Sequence, residues 1–308
     1  MNGALDLDTP GSAPGPGRTD SAPGPGRTDS APGPGRTDSA PGLDQRSRTS
    51  TGKEKRVTTH KGVGALVRLE VRRALRNKKF LFFSVIYPAL LFLILAGGAD
   101  STSEVGDSGL SMPAFMMVSM ASFGALTAVL MGNSERIAKE RESGWVRQLR
   151  LTSLPGRGYV LAKTASAAVV SLPSIVVVFV TGAVVKDVRL DAWQWLALTG
   201  AIWAGSLCFA ALGVAVGYCA TGDAVRPVTM ILYFALSLLG GLWMPTTTFP
   251  HWLQNLAEWL PTHAYAALGR AIELGDAPHA RDIVLLVAYF LAFAGGAAWL
   301  YRKDTLKA

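Results

Sequence analysis

The chain has 308 residues, 49% of them hydrophobic and only 17% charged, with a formal net charge of +8. Its mean hydropathy is +0.28, whereas about a quarter of an ordinary globular chain is charged. Charge is crowded before residue 80 and long uncharged stretches follow, which excludes both a single water-soluble core and a wholly disordered polymer.

Taken in chain order, the first element is a repeat. Ala13–Ser21, Ala22–Ser30 and Ala31–Ser39 each read APGPGRTDS, and Ala40-Pro41-Gly42 opens another copy. A unit with no apolar side chain larger than proline has nothing to bury against its neighbour, so residues 1–61 are expected to form a disordered, partly polyproline-like tail. No apolar core precedes a cleavage site, so this is not a signal peptide. A tail without function and a start site upstream of the genuine one both stay open.

Residues 62–308 read as one membrane domain. From Lys61 to Lys79 seven cations, Arg68, Arg72, Arg73 and Arg76 among them, face a single acid, Glu70, with Val63, Leu66, Val67, Leu69, Val71 and Leu75 interleaved. Leu66, Leu69 and Arg73 fall near helical spacing, as expected of an amphipathic helix lying in a membrane surface with its basic stems reaching lipid phosphates. A nucleic-acid-binding helix is the competing interpretation, and direct attachment to an apolar span argues against it.

Six uncharged windows follow, at 80–99, 110–132, 164–185, 192–222, 227–250 and 283–301. Each has about 19 residues or more, enough to cross ~30 Å of hydrocarbon as a helix. The predicted fold is therefore all-α, with six transmembrane helices. Pro88 and Pro173 lie inside spans, where membrane helices tolerate them. Cys208 and Cys219 are too far apart along one helix for a disulfide and are expected to be buried. Lys and Arg concentrate before the first span, in the connection from Asn133 to Lys163, and after the sixth span. That asymmetry predicts both termini on the cytoplasmic side.

Catalytic chemistry is not legible. None of the four histidines pairs with carboxylates in a zinc pattern, and no nucleophile elbow or Walker pattern is present. No cofactor bound by this chain is predicted. The spans carry no Asp, Glu, Lys or Arg near their middles, which argues against an ion-coupled carrier.

Two connecting segments are richer than a tether needs. In Glu135–Pro155, an apolar stripe of Ile137, Trp145, Leu149 and Leu151 is surrounded by Glu135, Lys139, Glu140, Arg141, Glu142 and Arg147. It is either a solvated helix with weak intrahelical ion pairs or a docking element for a partner groove. In Gly240–Tyr265, Pro245, Pro250 and Pro261 punctuate a run carrying Trp243, Trp252 and Trp259. A short re-entrant or surface-lying hairpin fits it, as does simple aromatic anchoring.

With these segments in view the chain resembles the permeases of the ABC type 2 exporter family, which includes bacterial drug and antibiotic exporters. The resemblance covers about residues 62–308. It is carried by the basic elbow, the six-span layout, the E-R-E-x-G run at Glu140–Gly144 with Leu149 and Pro155 beyond it, and the G-G-x-x-x-P…P-x-W-L-Q…L-P run from Gly240 to Pro261.

The resemblance implies a multi-pass protein of the bacterial cell membrane without its own ATPase, working with a separate ABC ATPase subunit that binds the ATP and Mg. It implies a second permease copy, as homodimer or heterodimer, contact with membrane lipid, and no nucleic acid. It maps a coupling helix onto Glu135, Lys139, Glu140, Arg141, Glu142, Gly144, Trp145, Arg147 and Leu149. Trp145 departs from the small residue many relatives have after the glycine, which makes partner choice more restrictive. The second and fifth spans would line the path, offering Phe115, Met116, Met120 and Phe123, then Tyr233, Phe234 and Leu236, a lining suited to apolar or amphipathic cargo. Pro245, Pro250, Trp252, Trp259 and Pro261 would form an outer hairpin. Export of a drug, antibiotic or lipid-like molecule is the expected function; sodium or peptide export, or a membrane sensor or assembly subunit of a signalling complex, are the alternatives.

Overall fold

The computed structural model describes Gly64 and residues 67–98, 104–105, 109–144, 156–220 and 222–306. The predicted tail, residues 1–61, lies outside them. Among the described residues the regular structure is helical apart from one isolated bridge, Glu104–Ser111.

Helix α1 covers 67–76, and Asn77 then caps α2, its side-chain oxygen accepting the Phe80 N–H at 3.2 Å. Helix α2 is the continuous run Lys78–Leu95. Its stretch Phe82–Ile86 widens into a π-helix directly before Pro88. The proline ring lacks an N–H and crowds the carbonyl of Ser84 one turn earlier, and the widened turn relieves both problems.

The other long helices are α3 (Met112–Glu142), α4 (Gly156–Val185), α5 (Ala192–Cys219), α6 (Val225–Leu239) and α9 (Ala280–Leu306). Two short ones, α7 (His251–Ala257) and α8 (Pro261–Glu273), lie between α6 and α9. Local chemistry sets several boundaries. Ser111 accepts the Ala114 N–H at the start of α3, Gln194 Oε1 accepts the Asp191 N–H at the start of α5, and Pro261 opens α8 where no N–H is needed.

Six helices are long and apolar enough to cross a membrane, and they coincide with the six uncharged windows. The fifth ends earlier than its window. Gly240 closes α6, Gly241 takes a left-handed φ of 76°, and the Leu242 N–H returns to the Ser237 carbonyl. That is a glycine-terminated helix end, and lack of charge alone cannot reveal it.

Helix α3 is the hub. Up to Gly132 it is apolar or small on every side and buried almost throughout, as expected of a helix surrounded by others. It packs most extensively on α5 and α4, and also on α2, α6 and α8. Interhelical hydrogen bonds accompany this packing: Asn133 Nδ2 donates to the Ala210 carbonyl, and Thr229 Oγ1 to Ser134 Oγ, both at 3.0 Å. Outward faces are aliphatic, with Val176, Val180 and Val184 on α4 and Val284, Val287 and Leu291 on α9 exposed at helical spacing. A lipid phase would cover these stripes. Cys208 is buried as expected, whereas Cys219, the last residue of α5, is exposed; both are free thiols.

Helix α8 departs from the surface-lying alternative for this segment. Pro261, Ala264, Tyr265, Leu268 and Ile272 form one buried stripe. The Tyr265 hydroxyl, fully enclosed, donates to the Ile202 carbonyl of α5 at 3.0 Å. At the end of α8, the Gln194 amide donates to the carbonyls of Ile272 and Glu273.

Glu273 itself is nine-tenths buried and neither carboxyl oxygen has a hydrogen-bond partner. Burial pushes this acid up to about 8, against the opposing pull of Arg270. The fold therefore favours the protonated form. Stability from this group is complete below the ordinary carboxyl value near 4.3 and is lost as pH rises through about 8. Unfolding of the purified protein should move to lower temperature between about pH 5 and pH 8. Glu273→Gln should flatten that dependence, read by thermal scans at both pH values.

Candidate functional site

The chain alternates direction through its six long helices, so one end of the bundle gathers Lys79, Arg136, Lys139, Lys163 and Arg226. Two features at this basic end bear on function.

The first is a buried ionic cluster. Lys163 Nζ on α4 lies 2.8 Å from Glu70 Oε1 on α1 and 2.5 Å from Glu140 Oε1 on α3, and Arg136 Nη1 lies 3.6 Å from Glu70 Oε2. The Lys163 and Glu70 side chains are each 1% exposed. Charges taken this far from water persist only when paired. The cluster joins the elbow helix to both stems of the connection between α3 and α4.

Next to it the E-R-E-S-G run ends α3. Arg141 Nη1 donates to the carbonyls of Gly217, Tyr218 and Ala220 at 3.1–3.3 Å, and the guanidinium lies over the Tyr218 ring. A cation at the carbonyl end of α5 is favourable. Gly144 adopts φ 70° and its N–H reaches the Arg141 carbonyl, a left-handed terminus that glycine accepts without strain. Of the predicted coupling residues, Glu140 faces inward, Arg141 is held on α5, and Glu142 is exposed beside Gly222. Glu135 and Lys139 face a cleft instead. Trp145, Arg147 and Leu149 lie outside the described residues.

That cleft is the second feature. It opens between α2, α3 and α6 with a volume of about 470 Å³. Phe80, Phe83, Tyr87, Phe123, Met230 and Tyr233 form much of its apolar wall, and Lys79, Glu135, Arg136, Lys139 and Arg226 stand at its basic end. Arg226 Nε lies 3.4 Å from Glu135, and Arg136 stacks over Phe80 at 5.2 Å.

Phe123, Tyr233 and Phe234 of the predicted path come together here: the Phe123 and Tyr233 rings are 5.8 Å apart and Tyr233 stacks on Phe234 at 4.4 Å. Trp243 closes the group, 5.2 Å from Phe123, with its Nε1–H donating to Ser237 Oγ. Phe115, Met116 and Met120 sit in the core around α3 and do not line the cleft, and neither does the half-buried Leu236.

At the opposite end, Trp252 and Trp259 are largely exposed. Pro245 and Pro250 precede the turn Thr246–Thr248 and α7, and Pro261 starts α8. Arg281 pairs with Glu258 and lies over Trp259, while the Tyr289 hydroxyl donates to the Trp259 carbonyl.

The comparisons with known proteins agree with this architecture. The family model described as ABC-2 family transporter protein matches residues 99–299. The chain belongs to the ABC-2 family. YvfS of Bacillus subtilis (strain 168), which carries the name of a transport permease, is 30% identical over 235 residues, spanning 76% of this chain and 95% of the relative. This ABC-2 chain is thus a multi-pass membrane permease component of an ABC transporter. An ABC-2 permease domain lacks an ATPase domain, and such permeases work with ATPase subunits.

The ABC-2 resemblance did not lead to Glu70 and Lys163. One signal existed: Glu70 is the lone acid of a basic helix and shares a stripe with Val67 and Ala74 at spacings of three and four. Glu70 and Ala74 are buried, while Leu69 on the predicted apolar stripe is exposed.

Proposed function

We propose that this permease exports an apolar or amphipathic molecule, and that its energy comes from a separate ABC ATPase subunit engaged through the connection between α3 and α4. The observation that carries this reading is the cleft between α2, α3 and α6, where an aromatic wall meets a charged mouth. Predominantly apolar pockets with a few convergent polar groups are what small amphipathic molecules occupy.

The basic end faces the cytoplasm in this reading, by the bias of Lys and Arg. Glu142 and Gly144 lead into the partner contact, with Trp145, Arg147 and Leu149 as its core. ATP binding draws two ATPases together, and the pull reaches both stems of the loop at once because Glu140 and Lys163 are joined. Nucleotide binding drives transport to the extent that it favours the closed arrangement. Two permeases, identical or related, complete the path.

The double substitution Glu142→Ala/Trp145→Ala should leave membrane insertion unchanged. It should lower export and co-purification of the ATPase about tenfold or more, as removal of a central aromatic and a charge at an interface does. Unchanged ATPase capture in detergent by that variant would remove the coupling assignment.

A further inference from the structure

We infer that the cleft selects anionic amphiphiles. This inference rests on reading the cleft as the cargo site and adds the charge of the cargo to it.

The mouth carries four cations, Lys79, Arg136, Lys139 and Arg226, and one acid, Glu135. Their environments differ. Arg226 is held by Glu135, and Arg136 leans back to Glu70 and onto Phe80. Among the described residues no ion pair joins Lys79 or Lys139 to a carboxylate, and both lysines are exposed. The mouth is therefore left net positive next to an apolar wall. A cationic head would meet like charge there, and a neutral one would gain no charge-assisted bond from the ammonium groups.

An anionic head can accept charge-assisted hydrogen bonds from both lysines and from the Arg226 fork. Its tail can then lie along Phe83, Tyr87 and Phe123. The volume, about 470 Å³, lies in the range of single small-molecule sites, about 300–1,000 Å³. The occupant is thus a one-chain or compact carboxylate-, sulfate- or phosphate-headed amphiphile. An acidic protein segment would use the mouth but not the aromatic wall, which is why the small molecule is favoured.

The test uses the full chain in phosphatidylcholine nanodiscs and two probes with one tail: 11-(dansylamino)undecanoic acid and its methyl ester. Dansyl emission reports binding. At low salt the acid should bind about tenfold more tightly than the ester, consistent with one or two charge-assisted hydrogen bonds, and the preference should shrink as salt is added. In the variant Lys79→Gln/Lys139→Gln/Arg226→Gln the two probes should bind alike, with the ester's affinity unchanged. Should that variant not fold, Lys79→Gln and Lys139→Gln singly should each lower the preference several-fold.

Equal binding of the two probes by the unaltered protein would overturn charge selection, as would a preference that survives loss of the lysines. Full displacement of the acid by phosphatidylglycerol added to the discs would uphold charge selection but overturn the one-chain occupant, making the anionic amphiphile a resident lipid. Phe123→Ala separates this from the parent reading. If it weakens both probes, the cleft remains the cargo site whatever the charge preference; if it weakens neither, the cleft assignment itself falls.

Discussion

Replacing Lys163 with methionine is expected to destabilise the fold by about 3–5 kcal/mol, the usual cost of removing one partner from a buried ion pair. The ammonium sits between Glu70 and Glu140 with 1% of its side chain exposed. Without it two largely buried carboxylates lose the cation they share. Arg136, 3.6 Å from Glu70 and within electrostatic reach of Glu140, offsets only part of that loss. The variant Glu140→Gln/Lys163→Met removes one charge of each sign and leaves the Arg136–Glu70 pair, and it should recover much of the loss, because no carboxylate of the cluster then stays buried without its cation. Thermal or denaturant unfolding of the purified protein measures both. If Lys163→Met alone costs nothing, the cluster does not hold the three helices together.

The cluster also explains what a sequence of this kind conceals. Lys163 meets residues 93 and 23 positions away, Glu70 and Glu140, and nothing in local periodicity brings those separations together. Glu140 reads as one more charge in a polar loop, yet its neighbours in space turn it inward. Gly144 was expected inside the coupling helix, yet α3 ends at Glu142 and Gly144 takes a left-handed φ of 70°, an end that a glycine after a charged helical run can signal locally.

The six long helices were legible for the opposite reason: absence of charge over about 19 residues is a property of a segment by itself. Where the stop is geometric the signal fails, and Gly240–Gly241 ends α6 inside a window that runs uncharged to Pro250. Helix α8 shows a third case. Its buried stripe, Pro261, Ala264, Tyr265, Leu268 and Ile272, has helical spacing that can be found in the sequence. Three tryptophans and three prolines around it point to a membrane interface more loudly. For the cleft, Phe123 and Tyr233 belonged to the expected second and fifth spans, whereas the share of α2, through Phe80, Phe83 and Tyr87, came only with the packing.

Gly213→Val should weaken the fold by about 1–3 kcal/mol through overpacking alone, in the helix pair that forms the spine of the molecule. A Cβ at Gly213 would lie 2.8 Å from the Leu130 carbonyl oxygen, 3.1 Å from its Cα and 3.1 Å from Asn133 Cβ. Two of these are backbone atoms of α3, which is enclosed by its neighbours and has little room to retreat. If α5 shifts away instead, the bond from Asn133 Nδ2 to the Ala210 carbonyl lengthens, and an unmet buried amide costs about 1–3 kcal/mol more. Gly217, one turn on, sits equally close to Ile137 and the Ser134 carbonyl, so separation of the helices would extend toward the end that holds Arg141. Gly200 on the same helix has no atom within 4 Å of the site of a Cβ. Gly200→Ala should therefore stabilise the fold, by up to about 1 kcal/mol, through helix propensity. Opposite signs for the two substitutions in parallel unfolding measurements identify close backbone approach of α5 to α3 as the cause. Matching signs would mean that the helices are not in contact at Gly213, and that displacement of the α3–α4 loop could not travel along this pair.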